Sequence, residues 1–254
     1  MRPEQPTTAH PLDTQIAALN AEYQALPTRQ FIQHLLQDRR LGRIALVSSF
    51  GAESAVLLHL VARVNPALPV LFIDTGKLFP ETLAYQAELT EQLGLQDLRI
   101  LRPDPEALGQ LDPEGQLHQT QPNQCCELRK TRPLQHALGE FDAWISGRKR
   151  YQTHTRTDLR YFENEHDQRI KINPLADWTQ SNLHHYRQQH QLPPHPLEAQ
   201  GYPSIGCAPC TSPVQTDEDP RAGRWRNSTK QECGIHIVHG RIQRRTTTPM
   251  SKAA

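Results

Sequence analysis

The sequence has no long hydrophobic run. Its apolar stretches, such as Leu68–Ile73, cover only a handful of residues, whereas a helix crossing a bilayer needs about 20. The opening Met1-Arg-Pro-Glu-Gln-Pro6 lacks the apolar core of a signal segment. The expectation is a soluble, cytoplasmic protein with no membrane partner. Net charge is also nearly absent: 28 Lys and Arg face 27 Asp and Glu, leaving +1. A general nucleic-acid binder would carry a strong basic excess, so no nucleic-acid partner is expected. Apolar residues are modest at 36%, against about 45–50% in a count that includes glycine. A chain of 254 residues still buries roughly 70% of its unfolded surface, so it needs no staples to fold. No internal repeat is visible. Cysteine is scarce and odd in number, with five residues, none before position 125.

What is present begins with proline, 21 residues, about 8% against a usual ~5%. Residues 1–11 read as a disordered lead-in. Ile16, Leu19, Tyr23 and Leu26 recur at helical spacing, and Phe31, Ile32, Leu35 and Leu36 form a second stripe. Arg43–Ser48 and Leu68–Ile73 are short apolar runs flanking a helical pattern at Ala55–Val64, with Val56, Leu57, Leu60 and Val61 facing inward. Strand, helix and strand in about 30 residues form a βαβ unit, which requires a parallel sheet. A helix over Pro80–Leu93 starts with proline in its first turn and carries the stripe Leu83, Leu89, Leu93. Asp97–Leu101, Ala143–Ser146 and Ile170–Pro174 are further strands, and Asp177–Gln189 is a polar helix. The alternation predicts an α/β fold: a parallel twisted sheet with flanking helices. Residues 211–231 hold few apolar side chains and read as mobile.

Five constellations can carry chemistry. Ser48-Ser-Phe-Gly-Ala-Glu-Ser54 joins a strand to a helix, where free N–H groups and the helix N-terminus favour a phosphate; an ordinary βα turn reads the same way. It is no Walker A loop, since no Gly-Lys-Ser/Thr follows. Asp74-Thr-Gly-Lys77 ends the next strand, at the sheet edge where ligands of open parallel sheets bind; turn and cap roles are the plain alternative. Cys125, Cys126, Cys207 and Cys210 offer four thiolates for zinc or an iron–sulfur cluster. Neighbouring side chains seldom converge on one ion, so the adjacent pair suits a cluster better than tetrahedral zinc. Cys233, in Glu232-Cys-Gly-Ile-His236, is a lone thiol that His236 could help ionise. Basic residues complete the set at Arg129 and Lys130, at Arg148, Lys149, Arg150 and Arg156, and at Arg221, Arg224 and Arg226. Guanidinium groups suit oxyanions, although each could also be solvated surface charge.

In this order, Ser49-Phe-Gly-Ala-Glu-Ser54, Asp74–Thr82, Cys125-Cys126 with Lys130, Gly206-Cys-Ala-Pro-Cys210, Arg221-Ala-Gly-Arg-Trp225 and Glu232-Cys-Gly-Ile-His236 resemble the sulfonucleotide reductase family over about residues 25–240. All five cysteines match its iron–sulfur branch, whose members reduce adenosine 5′-phosphosulfate. The resemblance implies one 4Fe–4S cluster on Cys125, Cys126, Cys207 and Cys210, a nucleophile at Cys233, and catalytic support from His236, Lys130, Arg221 and Arg224. It implies substrate contacts at Ser48, Ser49, Phe50, Gly51, Glu53, Ser54, Asp74, Thr75, Gly76, Lys77, Arg148 and Arg156. Thioredoxin, or a glutaredoxin-like thiol donor, is the implied protein partner. The implied fold is similar to the ATP pyrophosphatases, of the adenine nucleotide alpha-hydrolase type, with a mobile C-terminal tail. In those enzymes the loop reads Ser-Gly-Gly-x-Asp-Ser; Phe50 and Glu53 depart from it, which fits a site that holds a nucleotide without cleaving ATP.

The expected organisation is a lead-in and helix at 1–24, a nucleotide- and cluster-binding α/β domain at 25–210, and a tail at 211–254 carrying the nucleophile. The expected reaction is reduction of adenosine 5′-phosphosulfate to sulfite and AMP through an S-sulfocysteine, in sulfate assimilation. Alternatives are reduction of the 3′-phosphorylated nucleotide or dual specificity, a non-catalytic iron–sulfur or zinc regulator, and a tRNA-thiolating enzyme. The chain leaves open whether it forms a homo-oligomer.

Overall fold

The structure is a computed structural model, described for residues 11–165, 169–226, 230 and 232. Two helices lead in, α1 (Pro11–Tyr23) and α2 (Thr28–Leu35). Their stripes bury Ile16, Leu19, Tyr23, Phe31, Ile32 and Leu35, so α1 belongs to the main core. The βαβ unit follows as β1 (Ile44–Ser48), α3 (Ser54–Ala62) and β2 (Val70–Ile73). Val56, Leu57, Leu60 and Val61 are buried, the face that the periodicity selects. Next come α4 (Pro80–Gln92) and β3 (Leu98–Leu101). The inner face of α4 is Thr82, Tyr85 and Leu89; the predicted stripe member Leu83 is exposed. Three short helices, α5 (Pro105–Leu111), α6 (Leu117–Thr120) and α7 (Pro122–Cys126), lead through a π-helical turn at Glu127–Thr131 into α8 (Arg132–Leu138).

The sheet is completed by β4 (Ala143–Ile145), β5 (Phe162–Glu165) and β6 (Arg169–Ile172), followed by α9 (Gln180–Gln189). Strand order is β3-β2-β1-β4-β6-β5. Every pair is parallel except β5 with β6. β5 was not expected: Phe162-Glu-Asn-Glu165 has no apolar run, and it is an edge strand with one neighbour. One large apolar cluster covers one face of the sheet and a smaller one the other. Leu46, Val70, Phe72, Val56 and Ile172 belong to the main cluster, while Ala45, Leu71, Leu138 and Trp144 form the second. Burial on both faces is what βαβ crossovers demand.

The chain runs from β1 outward to β2 and β3, then returns to place β4 on the other side of β1. That reversal creates a crevice at the carboxyl ends of β1 and β4. Of the stretch 211–231 expected to be mobile, the described residues 211–226 are tied down by backbone bonds from Ser212 N to Gly223 O (2.9 Å), Val214 N to Gly201 O (2.9 Å) and Trp225 N to Cys210 O (3.0 Å). Backbone pairing thus does there what side-chain hydrophobicity does elsewhere.

Candidate active site

A cavity of about 430 Å³ opens at the β1/β4 crevice. Ser48, Ser49, Gly51, Glu53 and Ser54 of the strand-to-helix loop line it. Phe50 has a positive φ of 47°, an uncommon backbone state for a bulky residue. Its amide donates to Ser48 Oγ at 3.2 Å. The Phe50 ring does not line this cavity; it is fully buried against Phe72, centroids 5.2 Å apart. The ring, expected as a substrate contact, supports the turn from below instead of lining the cavity.

Glu53 also has a different task from a simple ligand contact. Its carboxylate accepts from Lys149 Nζ (2.6 Å), Gln152 Nε2 (2.7 Å) and the Tyr151 hydroxyl. Burial pushes this carboxyl up, but Lys149 and the hydrogen bonds bring it below its usual value. The loop is thereby pinned to the segment after β4. That segment supplies Arg148 and Lys149, both buried. Arg148 pairs with Glu163 and donates to Asn173 Oδ1 at 3.3 Å.

Lys130, Arg156, Arg221 and Arg224 also line the cavity. Arg156 forms a two-point ion pair with Glu232, at 2.8 and 2.9 Å, and Arg221 approaches Glu232 at 3.6 Å. Arg224 lies over the Trp225 ring at 4.6 Å and donates to Ile205 O at 3.2 Å. A Cβ on Gly206 would come within 2.3 Å of its Nη2, so glycine there admits the guanidinium. The buried Arg224 Nε has no hydrogen-bond partner among the described residues. A buried unsatisfied donor is costly, and beside other cations it suits an arriving anion.

The second predicted loop turns away from this cavity. Among Asp74, Thr75, Gly76 and Lys77, none lines it. Asp74 accepts from Gly76 N and from exposed Arg102, whereas Lys77 lines a smaller cavity next door. Of the four residues expected as substrate contacts, Thr75 and Lys77 face the thiol side instead of this cavity. An antiparallel bridge pairs Leu78 with Cys207, and Ala208 N donates to Lys77 O at 2.8 Å.

All four cysteines of the predicted centre line that smaller cavity, with His118, Arg129, Lys130, Arg224 and Trp225. Burial, with the neighbouring thiols adding to it, raises the Cys125 thiol to about 11 and raises Cys210. Cys207 goes the other way: burial pushes it up, but Lys130 and the Thr75 hydroxyl bring it below its ordinary value. Thr75 Oγ1 is 3.3 Å from Cys207 Sγ, and Lys230 Nζ donates to Cys126 Sγ at 3.1 Å. Among the described residues, no set of three or more His, Cys, Asp or Glu side chains is arranged to hold a metal ion. A cluster spreads its ligands over separate iron corners, and hydrogen bonds to its sulfurs are characteristic. The donor set therefore fits a four-cysteine cluster on chemistry: soft donors, one shared cavity, and cations beside them.

Lys130, Arg224 and Trp225 line both cavities. Sequence reasoning did not find Glu163, Asn173, Gln152 or Asp112. The ion-pair and site partners that give them meaning, such as Glu53 for Gln152 and Arg129 for Asp112, lie well away in the chain, so no local motif marks them. Cys233 and His236 lie outside the described residues.

A six-stranded, mostly parallel sheet with a cation-lined crevice at its switch point defines an α/β nucleotide-type site. The chain belongs to the phosphoadenosine phosphosulfate reductase domain family, whose pattern matches residues 43–213. It is 48% identical over 221 residues to a protein of Mesorhizobium japonicum named adenosine 5′-phosphosulfate reductase, covering 87% of each chain. A protein of the same name from Halalkalibacterium halodurans is 42% identical, over 76% of this chain and 85% of that one. Among solved structures, a phosphoadenylyl-sulfate reductase of Candida auris in complex with phosphate aligns with a TM-score of 0.68. Its identity is 24%, covering 79% of this chain and 97% of that one. An FMN adenylyltransferase of Candida glabrata follows with a TM-score of 0.55 and 15% identity, covering 82% and 76%. These two likenesses speak for the expected adenine nucleotide alpha-hydrolase-like fold. No helix among the described residues is long and apolar enough to cross a membrane.

Proposed function

We propose that this protein reduces adenosine 5′-phosphosulfate to sulfite and AMP in sulfate assimilation. The observation that carries the reading is the shared wall: Lys130 and Arg224 border both the crevice and the four-thiol cavity. The relatives named adenosine 5′-phosphosulfate reductase support the substrate. The serine loop and the β4 segment offer the crevice for the nucleotide, and the basic residues balance its phosphosulfate.

In the first step the Cys233 thiolate attacks the substrate sulfur. The bond between sulfur and the bridging oxygen breaks, and its electron pair leaves with AMP. Charge grows on the departing phosphate, where Lys130, Arg221 and Arg224 stabilise it. An S-sulfocysteine remains on Cys233. A dithiol of the thioredoxin or glutaredoxin type then attacks the Cys233 sulfur and expels sulfite. Its second thiol resolves the mixed disulfide, so two electrons come from the dithiol. His236 would favour the thiolate. Cys125, Cys126, Cys207 and Cys210 would hold a 4Fe–4S cluster, which when bound supplies structure and local charge beside Lys130. The chain's own residues carry the group transfer.

Incubating the protein with substrate and no thiol donor should add about 80 Da, the mass of one SO₃ group, to the intact chain. The adduct should vanish in Cys233→Ser; an adduct that survives the substitution removes the nucleophile assignment. Purified protein should absorb near ~410 nm and carry about four irons and four sulfides. Comparing kcat/KM for the two nucleotides tests the substrate: preference for the 3′-phosphorylated one would replace the reading.

A further inference from the structure

The two halves of the thiol centre come from distant parts of the chain. Cys125 and Cys126 end α7, and Cys207 and Cys210 lie in the turn after α9. A buried chain of polar contacts, ending on the Cys207 thiol, ties them together. Asp112 Oδ2 accepts from Arg129 Nη2 at 2.6 Å and from Nε at 3.2 Å. Arg129 Nη1 reaches across to donate to Thr75 O at 3.0 Å. Thr75, fully buried, has its hydroxyl 3.3 Å from Cys207 Sγ. The other Asp112 oxygen accepts from Leu117 N at 2.8 Å, fixing the carboxylate.

The Asp112 and Arg129 side chains are only 2% and 9% exposed. Burying such a pair costs several kcal/mol per ion, recovered only with good geometry and further hydrogen bonds. Here both conditions hold, and the pair sits where the two halves meet. Arg129 occupies the π-helical turn directly after the cysteine pair, next to Lys130. Such turns recur at functional sites. Fixing Arg129 therefore fixes the turn that carries Lys130, and through Thr75 the seat of Cys207.

We propose that Asp112 is a positioning residue for the four-cysteine centre, holding Arg129 as a strut between the Cys125-Cys126 helix and the Thr75–Cys207 contact. The proposal rests on the cluster reading above. Residues that orient metal ligands typically change affinity by about 10–100-fold when removed.

The test uses the full chain purified without oxygen, with iron content, decay of the ~410 nm band in air, and circular dichroism. Asp112→Ala should lose the band about tenfold faster than wild type, at a temperature where circular dichroism shows both folded. Arg129→Met should do the same, and the double variant should be no faster than either, because one strut is broken once. Equal decay in wild type and folded Asp112→Ala would overturn the proposal, as would additive acceleration in the double variant. If Asp112→Ala does not fold, Asp112→Asn keeps the shape without the charge and decides in the same way. Wild-type protein without iron removes the cluster reading and the proposal with it. Iron-bearing wild type beside an unchanged variant removes the proposal alone.

Discussion

The large crevice and the thiol cavity share a wall yet are held together differently. The crevice is braced by paired ions: Lys149 with Glu53, Arg148 with Glu163, Arg156 with Glu232. Every one joins residues far apart in sequence or on different elements. The thiol cavity gathers four like groups, and burial with the neighbouring thiols favours the neutral form at Cys125 and Cys210, while Lys130 and Thr75 favour the charged form at Cys207. Its order comes from single hydrogen bonds, Thr75 to Cys207 and Lys230 to Cys126, and from one buried strut. A site for a dianion needs fixed cations whose charge is already balanced in its absence. A site for a soft metal cluster needs thiols that can be deprotonated when iron arrives, so full balancing beforehand is not required.

The largest effect should come from unbalancing the crevice. Glu53→Ala leaves the buried Lys149 ammonium unpaired and should cost about 3–5 kcal/mol in urea unfolding. A loss below about 1 kcal/mol, the scale of an exposed pair, would mean that ion pairs are not what braces the crevice. Second, Lys130→Ala touches both cavities and should lower kcat/KM about 10²–10³-fold. If iron content falls but the turnover per iron does not, Lys130 serves the thiol side alone.

The third prediction concerns acid and the segment that delivers Cys207. His195 is buried, its Nδ1 accepts from Leu197 N at 3.1 Å, and its Nε2 lies 3.1 Å from Thr82 Oγ1. Burial lowers it to about 4, against an ordinary ~6.5. As pH falls, the unfolded chain takes the proton first, so stability is intact above ~6.5 and is lost toward ~4, by roughly 3 kcal/mol. Urea unfolding at pH 7 and pH 5 should show the loss in wild type and a flatter dependence in His195→Gln. Equal slopes would clear His195 of the role. The smallest effect is expected at Thr75→Val, which removes a hydroxyl from Cys207 and from Lys77 N and should cost about 1 kcal/mol. A loss as large as that of Glu53→Ala would erase the contrast between the two cavities.

Much of the sheet was legible because its strands are apolar runs separated by an apolar helical stripe. Ala45, Leu46, Val70, Leu71 and Phe72 are all buried, and no other assignment would hide them. Edge strand β5 was not legible, since one neighbour and a polar sequence leave no periodic signal. The serine loop announced a ligand site by its place between strand and helix. The cysteines announced a centre by residue type and spacing. Phe50, Glu53 and the Asp74–Lys77 loop were assigned to the ligand because they belong to the motifs that carry the resemblance. The Phe50 ring points to the core, Glu53 lines the crevice but is engaged by Lys149, and Thr75 and Lys77 turn to the thiol side.

By itself, then, the sequence determined which chemistry is available: serine amides for a phosphate, guanidinium groups for oxyanions, thiolates for soft metal. Those properties belong to residue types and survive any rearrangement of the chain. Tertiary structure decided which cation is spent on which anion, because pairing depends on distance in space. It placed Lys130 and Arg224 between the two cavities, and it brought Asp112, Arg129 and Thr75 into one strut. Buried charges tolerate only partnered positions, so the partners were fixed by the fold and not by any local pattern.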